Sequence, residues 1–241
     1  MRPVNGRHCV ARLIEVTRVY GAAGRETTAL RNVSLAVHAG ETVLLLGPSG
    51  SGKTTLLTLM GGLQHPTSGT VEIFGRAVED YTSRELQRLR ATRIGFVFQT
   101  FRLLEPLTVL DNVMLVMKFA GVPRVESRRR ALALLEEFGV AGLAGASPRT
   151  LSQGQKQRVA VARALANNAD LIIADEPTGS LATAQGLDII RFLTAKVRQG
   201  NRSAVIVSHD ERIAEYADRA LHLEDGVLRG PGGPGNTHGA P

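Results

Sequence analysis

"GETVLLLGPSGSGKTTLLTLMGG", residues 40–62, decides the fold. Its opening apolar run ends at a glycine and reads as a strand buried on both faces. "KTTLLTLMGG" then carries apolar residues at helical spacing and closes on glycine. Between strand and helix lies "GPSGSGKTT", residues 47–55, which fits G-x-x-x-x-G-K-[ST] in the setting that pattern requires. Gly47, Gly50 and Gly52 let the backbone bend so that its N–H groups approach phosphate oxygens, with Pro48, Ser49 and Ser51 filling the loop. Lys53 reaches the β- and γ-phosphates, the Thr54 hydroxyl suits Mg²⁺, and Thr55 continues a helix whose N-terminus adds a positive dipole end. The competing reading is a glycine-rich turn that serves packing alone. Agreement of every position and both flanks weighs against it.

Working outward, "ARLIEVTRVY" (11–20) and "LRNVSLAV" (30–37) read as strands, as do "TVEIFG" (70–75) and "RIGFVFQ" (93–99). From residue 107 to 168 the strands stop. "TVLDNVMLVMKFAG", "RVESRRRALALLEEFG" and "QGQKQRVAVARALANN" have helical spacing. Buried strands return at "DLIIAD" (170–175) and "SAVIVS" (203–208), with a helix between them and "RALHLEDGVLR" after them. This order predicts an α/β fold, a mostly parallel sheet with crossover helices interrupted by a helical insert. The tail "GPGGPGNTHGAP" from Gly230 carries too little apolar surface to fold and is expected to be disordered.

Composition narrows the partners. Hydrophobic residues are 43 % and charged residues 21 %, a globular balance that excludes disordered and fibrous classes. The longest apolar-looking stretch, 109–122, is broken by Asp111, Asn112 and Lys118, so no membrane span is expected. No secretory signal is visible, and the single cysteine, Cys9, fits a reducing compartment. Twenty-nine Lys and Arg against 22 Asp and Glu leave a net charge of +7. Aromatic residues are only 4 %, so the stacking platform of single-stranded nucleic-acid binders is missing and no nucleic-acid partner is expected. The clusters Arg84/Arg88/Arg90/Arg93 and Arg128/Arg129/Arg130 read as solvated basic faces.

Two further motifs carry chemistry. "LIIADE", 171–176, places adjacent carboxylates at the end of a buried strand. Because side chains alternate along a strand, Asp175 suits Mg²⁺ and Glu176 suits a water poised for attack on the γ-phosphate. His209, in "VSHD", follows the next strand and can hydrogen-bond the γ-phosphate, since open α/β sheets bind ligands at their strand ends.

Tyr20 after the first strand, "GPSGSGKTT", Gln99 in "VFQ", "LSQGQ" (151–155), "LIIADE" and "VSHD" occur in the order and at the spacings of ABC transporter ATP-binding subunits, which the chain resembles over about residues 11–229. The resemblance implies one ATPase domain over 8–229. Its parts are a P-loop NTPase core, an N-terminal antiparallel β subdomain and a helical subdomain inserted at about 100–168. It implies that Tyr20 stacks on adenine and that Gln99 senses Mg²⁺ and the γ-phosphate. Glu176 is then the catalytic carboxylate and His209 the switch histidine. It further implies that Ser152, Gln153, Gly154 and Gln155 act in trans, closing over ATP held by the phosphate loop of a second subunit in a head-to-tail homodimer. The segment with Phe101, Leu103 and Leu104 would receive a coupling helix from an integral membrane permease of FtsX-like type, leaving the ATPase cytoplasmic and peripheral on the inner face of the membrane. ATP and Mg²⁺, the latter at Thr54, Gln99 and Asp175, are the implied ligands.

Within the family, "FVFQTFRLLEPLTVLDNV" and "YADRALHLEDG" look most like ATPases of lipoprotein-release, macrolide-export and glycolipid-export systems. Amino-acid importers and regulators of cell-division machinery share most of these words. DNA-repair relatives carry a coiled coil or zinc modules between phosphate loop and signature; here 99 positions separate Lys53 from Ser152 and no cysteine pair exists. Two positions depart from the family pattern. Gln153 stands where glycine is usual, and would be strained if that position needed a positive φ. Ala182 stands where aspartate is common, and alanine cannot accept the hydrogen bonds that link the two active sites.

Overall fold

The computed structural model describes residues 8–22, 24–179 and 183–230. The chain runs β1 (Cys9–Tyr20), β2 (Thr27–His38), β3 (Thr42–Leu46), α1 (Lys53–Met60), β4 (Ser68–Ile73), β5 (Arg76–Ala77), α2 (Ser83–Arg93) and β6 (Ile94–Val97). It continues as α3 (Val109–Phe119), α4 (Arg124–Glu137), α5 (Gln153–Leu165), β7 (Leu171–Asp175), α6 (Thr183–Gln199), β8 (Ser203–Ser208), β9 (Arg219–Glu224) and β10 (Val227–Arg229).

These strands form two sheets. Four antiparallel strands take the order β2-β1-β4-β5, and six take the order β10-β9-β3-β8-β7-β6. In the second sheet β3, β6, β7, β8 and β9 are parallel, and β10 turns back on β9 as an antiparallel edge. The unbroken apolar runs of β3, β7 and β8 follow from burial on both faces. Leu44, Leu46, Ile172, Ala174, Ala204 and Ile206 face a core shared with α3, α4, α5 and α6. The alternate residues Val43, Leu45, Leu171, Ile173, Val205 and Val207 face a second core with α1 and the antiparallel sheet.

Between β6 and β7 there are only helical elements, as the sequence predicts. Helix α2 is the element the apolar pattern missed. Only Leu86 and Leu89 along it are buried, so the period is faint. Its signal was local: Thr82 accepts from the Glu85 amide, and the Glu85 carboxylate accepts from the Thr82 amide at 2.7 Å, a capping box. Among the described residues, no helix is long and apolar enough to cross a membrane.

Parallel pairing has one consequence for function. The carboxyl ends of β3, β6, β7 and β8 lie along the same edge of the sheet, and the segments leaving them begin at Gly47, Phe98, Glu176 and His209. A ligand crevice at this edge is what an open α/β sheet provides.

Candidate active site

The phosphate loop is shaped by glycine where no other residue fits. A Cβ on Gly52, at φ +102, would lie 2.3 Å from the Ala29 carbonyl oxygen, and one on Gly47 would lie 2.1 Å from that of Leu223. Both backbones are therefore in direct contact with neighbouring strands. Gly52 is also the N-cap of α1, so the loop's N–H groups and the helix's positive end face the same space. The Lys53 ammonium is buried and donates to the carbonyls of Gly47 at 2.8 Å and Pro48 at 2.7 Å, which folds it over the loop. Ser51 is buried and, unlike Ser49, is not among the residues that line the cleft.

A cleft of about 510 Å³ joins this loop to the strand ends, bringing together Tyr20, Ser49, Gly50, Gly52, Lys53, Thr54, Thr55, Gln99, Asp175, Glu176 and His209. The Thr54 hydroxyl donates to the Asp175 carboxylate, with oxygens 3.1 and 3.3 Å away. Burial raises the Asp175 pKa above its ordinary value, and the neighbouring Glu176 carboxylate adds to the rise. The Thr54 hydrogen bond and the charges of Lys53 and Arg102 oppose it. A half-buried carboxylate beside a hydroxyl and the Gln99 amide offers hard oxygen donors, the chemistry Mg²⁺ selects.

Glu176 takes a left-handed conformation, φ 45, with its amide bonded to the Val207 carbonyl, and its carboxylate accepts from His209 Nδ1 at 2.9 Å. Its side chain is 12 % exposed against 66 % for His209. The shielded carboxylate is thus held by an imidazole that is itself open to solvent. Tyr20 closes the far end of the cleft. Its hydroxyl hydrogen-bonds Gln64 Oε1 at 2.5 Å, and the Arg18 guanidinium lies 4.6 Å from its ring centre.

The signature residues do not line this cleft. They begin α5, where Ser152 caps the helix: its hydroxyl oxygen accepts from the Gln155 amide at 3.3 Å, and the Gln155 side chain accepts from the Ser152 amide at 2.9 Å. Ser152 and Gln153 are exposed, with Gly154 and Gln155 half-buried. Gln153 sits in the first helical turn and is not among the residues with positive φ, so the glycine usual there is not demanded by the backbone. Ser180, Leu181 and Ala182 lie outside the described residues.

The loop after Gln99 is tightly wound. Phe101 and Arg102 both adopt left-handed backbone, φ 59 and 47, at a cost of about 1–2 kcal/mol each. The Phe101 amide donates to the Phe98 carbonyl at 3.0 Å, and the Arg102 amide to that of Thr100 at 2.6 Å. The carbonyls of Phe101 and Arg102 accept from Arg163 of α5, each at 2.6 Å. Sequence reading passed over Arg163. The available signal was an ionisable residue four positions after Val159, within the apolar run Val159–Leu165 that forms the buried half of the helix.

Comparison with known proteins agrees with this geometry. Residues 30–179 match the family model described as ABC transporter. The chain is 43 % identical over 218 residues to the "Macrolide export ATP-binding/permease protein MacB" of Burkholderia pseudomallei, covering 90 % of this chain and 33 % of that protein. It thus spans about a third of the length of the macrolide-export relatives it matches. An "Uncharacterized ABC transporter ATP-binding protein" of Thermotoga maritima is 43 % identical over 221 residues, covering 92 % of this chain and 94 % of the relative. Among solved structures, the ATP-binding cassette MJ0796, a dimer in a post-hydrolysis state bound to ADP and Pi, aligns with a TM-score of 0.85 and 39 % identity over 92 % of this chain and 99 % of that one. A phosphate loop facing a Thr54–Asp175 pair and a shielded Glu176, on a sheet of this topology and with these relatives, has one explanation: the chain belongs to the ABC transporter family, as an ATP-hydrolysing cassette.

Proposed function

We propose that this cassette works as one half of an ATP-sandwich dimer that powers a membrane permease, and that the cargo is a lipid, lipoprotein or other hydrophobic compound moved outward or extracted from the membrane. One observation carries the dimer: the residues at 152–155 form a capped, solvent-facing helix start that is absent from the lining of the phosphate cleft in the same chain. A γ-phosphate held in that cleft still needs a second face, and a capped helix start, with free N–H groups and a hydroxyl, is suited to supply it. Because Ser152 uses its oxygen as an acceptor within the cap, its hydroxyl hydrogen stays available for donation.

Within the cleft, Lys53 swings from the loop carbonyls to the phosphates, and Tyr20 stacks on the base. Thr54, Asp175 and Gln99 hold Mg²⁺, which when bound neutralises charge on the phosphate oxygens. Glu176 accepts the proton of the attacking water, and His209 fixes that carboxylate and the γ-phosphate edge. The placement of Gln99 and Glu176 together beside Gly179, where an added Cβ would lie 3.7 Å from the Gln99 side chain and 3.5 Å from that of Glu176, supports a shared role at the γ-phosphate.

A groove of about 800 Å³ between α2, β6 and α3 supports the permease assignment. Leu63, Leu104 and Phe119 line it while 45 %, 47 % and 66 % exposed, and its rim carries Arg84 and Arg88. Apolar floor and basic rim suit an amphipathic cytoplasmic helix of FtsX-like permease. This docking would place the cassette on the inner face of the membrane. Export through a permease is supported by the name of the Burkholderia relative.

The test is Glu176→Gln. The amide keeps the shape of the site and cannot take the proton, so hydrolysis should fall by roughly 10²–10⁴-fold while ATP and Mg²⁺ shift the species in light scattering to about twice 25.8 kDa. A variant that stays monomeric with ATP bound refutes the sandwich.

A further inference from the structure

Arg163 is 9 % exposed, and no carboxylate pairs with it among the described residues. Burial lowers its pKa to about 10, so it remains charged at neutral pH, and its hydrogen bonds go to backbone. A buried charge compensated only by main-chain oxygens is unusual, because its desolvation is offset solely by the bonds it makes. Those bonds are spent on two consecutive residues in left-handed conformation, a backbone that persists only where its surroundings hold it. Further support comes from Arg102, whose guanidinium stacks 4.3 Å from the centre of the Phe98 ring.

The two ends of this contact belong to different parts of the site. Phe101 is two residues from Gln99, which lines the nucleotide cleft. Arg163 is eleven residues from Ser152 along α5, a straight run of about 16 Å. A bidentate guanidinium fixes both distance and orientation between its partners, as a single lysine bond cannot. α5 also packs closely on β6, where a Cβ on Gly95 would lie 2.1 Å from the Ala164 carbonyl oxygen.

We propose that Arg163 is a positioning residue that makes the Gln99 loop and helix α5 move as one body, so that occupancy beside Gln99 sets how residues 152–155 are presented to the partner's nucleotide. The inference rests on the sandwich reading above. It assigns to Arg163 an effect on dimer closure and turnover, with ATP binding to the monomer left alone.

The experiment uses Arg163→Lys, which keeps the charge and one bond, in wild-type and Glu176→Gln backgrounds. A fluorescent ATP analogue reads monomer affinity, light scattering with ATP and Mg²⁺ reads dimerisation, and steady-state hydrolysis separates kcat from KM. The expected result is analogue affinity within twofold, dimerisation weakened at least tenfold, and kcat reduced at least tenfold with KM within threefold. Phe101→Gly is the companion variant, because glycine relaxes the left-handed residue and frees the loop from its rigid shape. It should lower kcat and dimerisation while the melting temperature holds or rises, a divergence that a merely structural contact does not produce. Dimerisation and kcat within twofold of the parent in either variant, or parallel losses of stability, analogue affinity and dimerisation, overturn the proposal. Failure of the Glu176→Gln parent itself to dimerise overturns the sandwich reading, and this inference with it.

Discussion

Gly52→Ala gives a sharp test of how the phosphate loop is held. The new Cβ would lie 2.3 Å from the Ala29 carbonyl oxygen, about 1 Å closer than ordinary van der Waals contact, and the φ of +102 is one that alanine rarely adopts. Strand β2 cannot yield easily: Leu30 is fully buried, and the Arg31 amide is bonded to the Gly226 carbonyl at 2.8 Å. The loop must therefore move. Backbone strain of about 1–2 kcal/mol and overpacking of about 1–3 kcal/mol sum to a loss of roughly 2–5 kcal/mol, read as a lower denaturation midpoint in urea. Gly50→Ala is the matched control, since its φ is +83 and a Cβ there meets nothing within 4 Å. It should cost only the strain component. Displacing the loop by about 1 Å should also reduce the turnover of Gly52→Ala by roughly 100-fold. Equal stability losses in the two variants would refute the argument that contact with Ala29 shapes the loop.

Three other outcomes follow from the site. Asp175→Asn should abolish Mg²⁺-dependent hydrolysis yet raise thermal stability at neutral pH without nucleotide, because burial makes the ionised carboxylate unfavourable. The sign is fixed by the raised pKa: the folded chain binds this proton more tightly than the unfolded one, so the carboxylate's cost is present at neutral pH and disappears as pH falls through its folded pKa. The stability gap between wild type and Asp175→Asn should therefore narrow in acid, which denaturation at pH 7 and at pH 4 checks. Arg84→Glu with Arg88→Glu should weaken copurification with the permease at least tenfold at low salt and leave hydrolysis by the isolated cassette unchanged. Ala182→Asp should raise the steady-state ATPase rate, by restoring an acceptor common in the family, and an unchanged rate in a coupled-enzyme assay would remove that role.

Much of the fold was legible because the relevant physics is local or periodic. Apolar runs bounded by glycine marked β3, β7 and β8, since burial on both faces leaves no polar position. The phosphate loop was legible because close backbone approach to phosphate needs glycine at fixed offsets, whereas the structure adds a second reason: a Cβ on Gly47 or Gly52 would lie 2.1 or 2.3 Å from a carbonyl oxygen of a neighbouring strand. Helix α2 was missed because two buried leucines make a weak period, although its capping box was in plain view. The basic cluster at Arg84, Arg88, Arg90 and Arg93 is not uniformly solvated. Arg90 is half-buried and donates to the Gly62 carbonyl at 2.6 Å, which ties α2 to the end of α1.

By itself, then, the sequence determined the residue types, their order and the elements that carry them: a phosphate loop, two carboxylates, a strand-end histidine and a capped signature helix. Tertiary structure decided which of these meet. Parallel pairing of β3, β6, β7 and β8 puts Lys53, Gln99, Asp175, Glu176 and His209 at one edge, whereas the residues at 152–155, at the start of α5, are not among those that line that cleft. It also settled that Gln153 is unstrained and that Arg163 grips the loop behind Gln99. Such contacts join positions about 60 apart in the chain, and no local period records them. They exist because folding brings an unpaired buried charge to the carbonyls that can satisfy it.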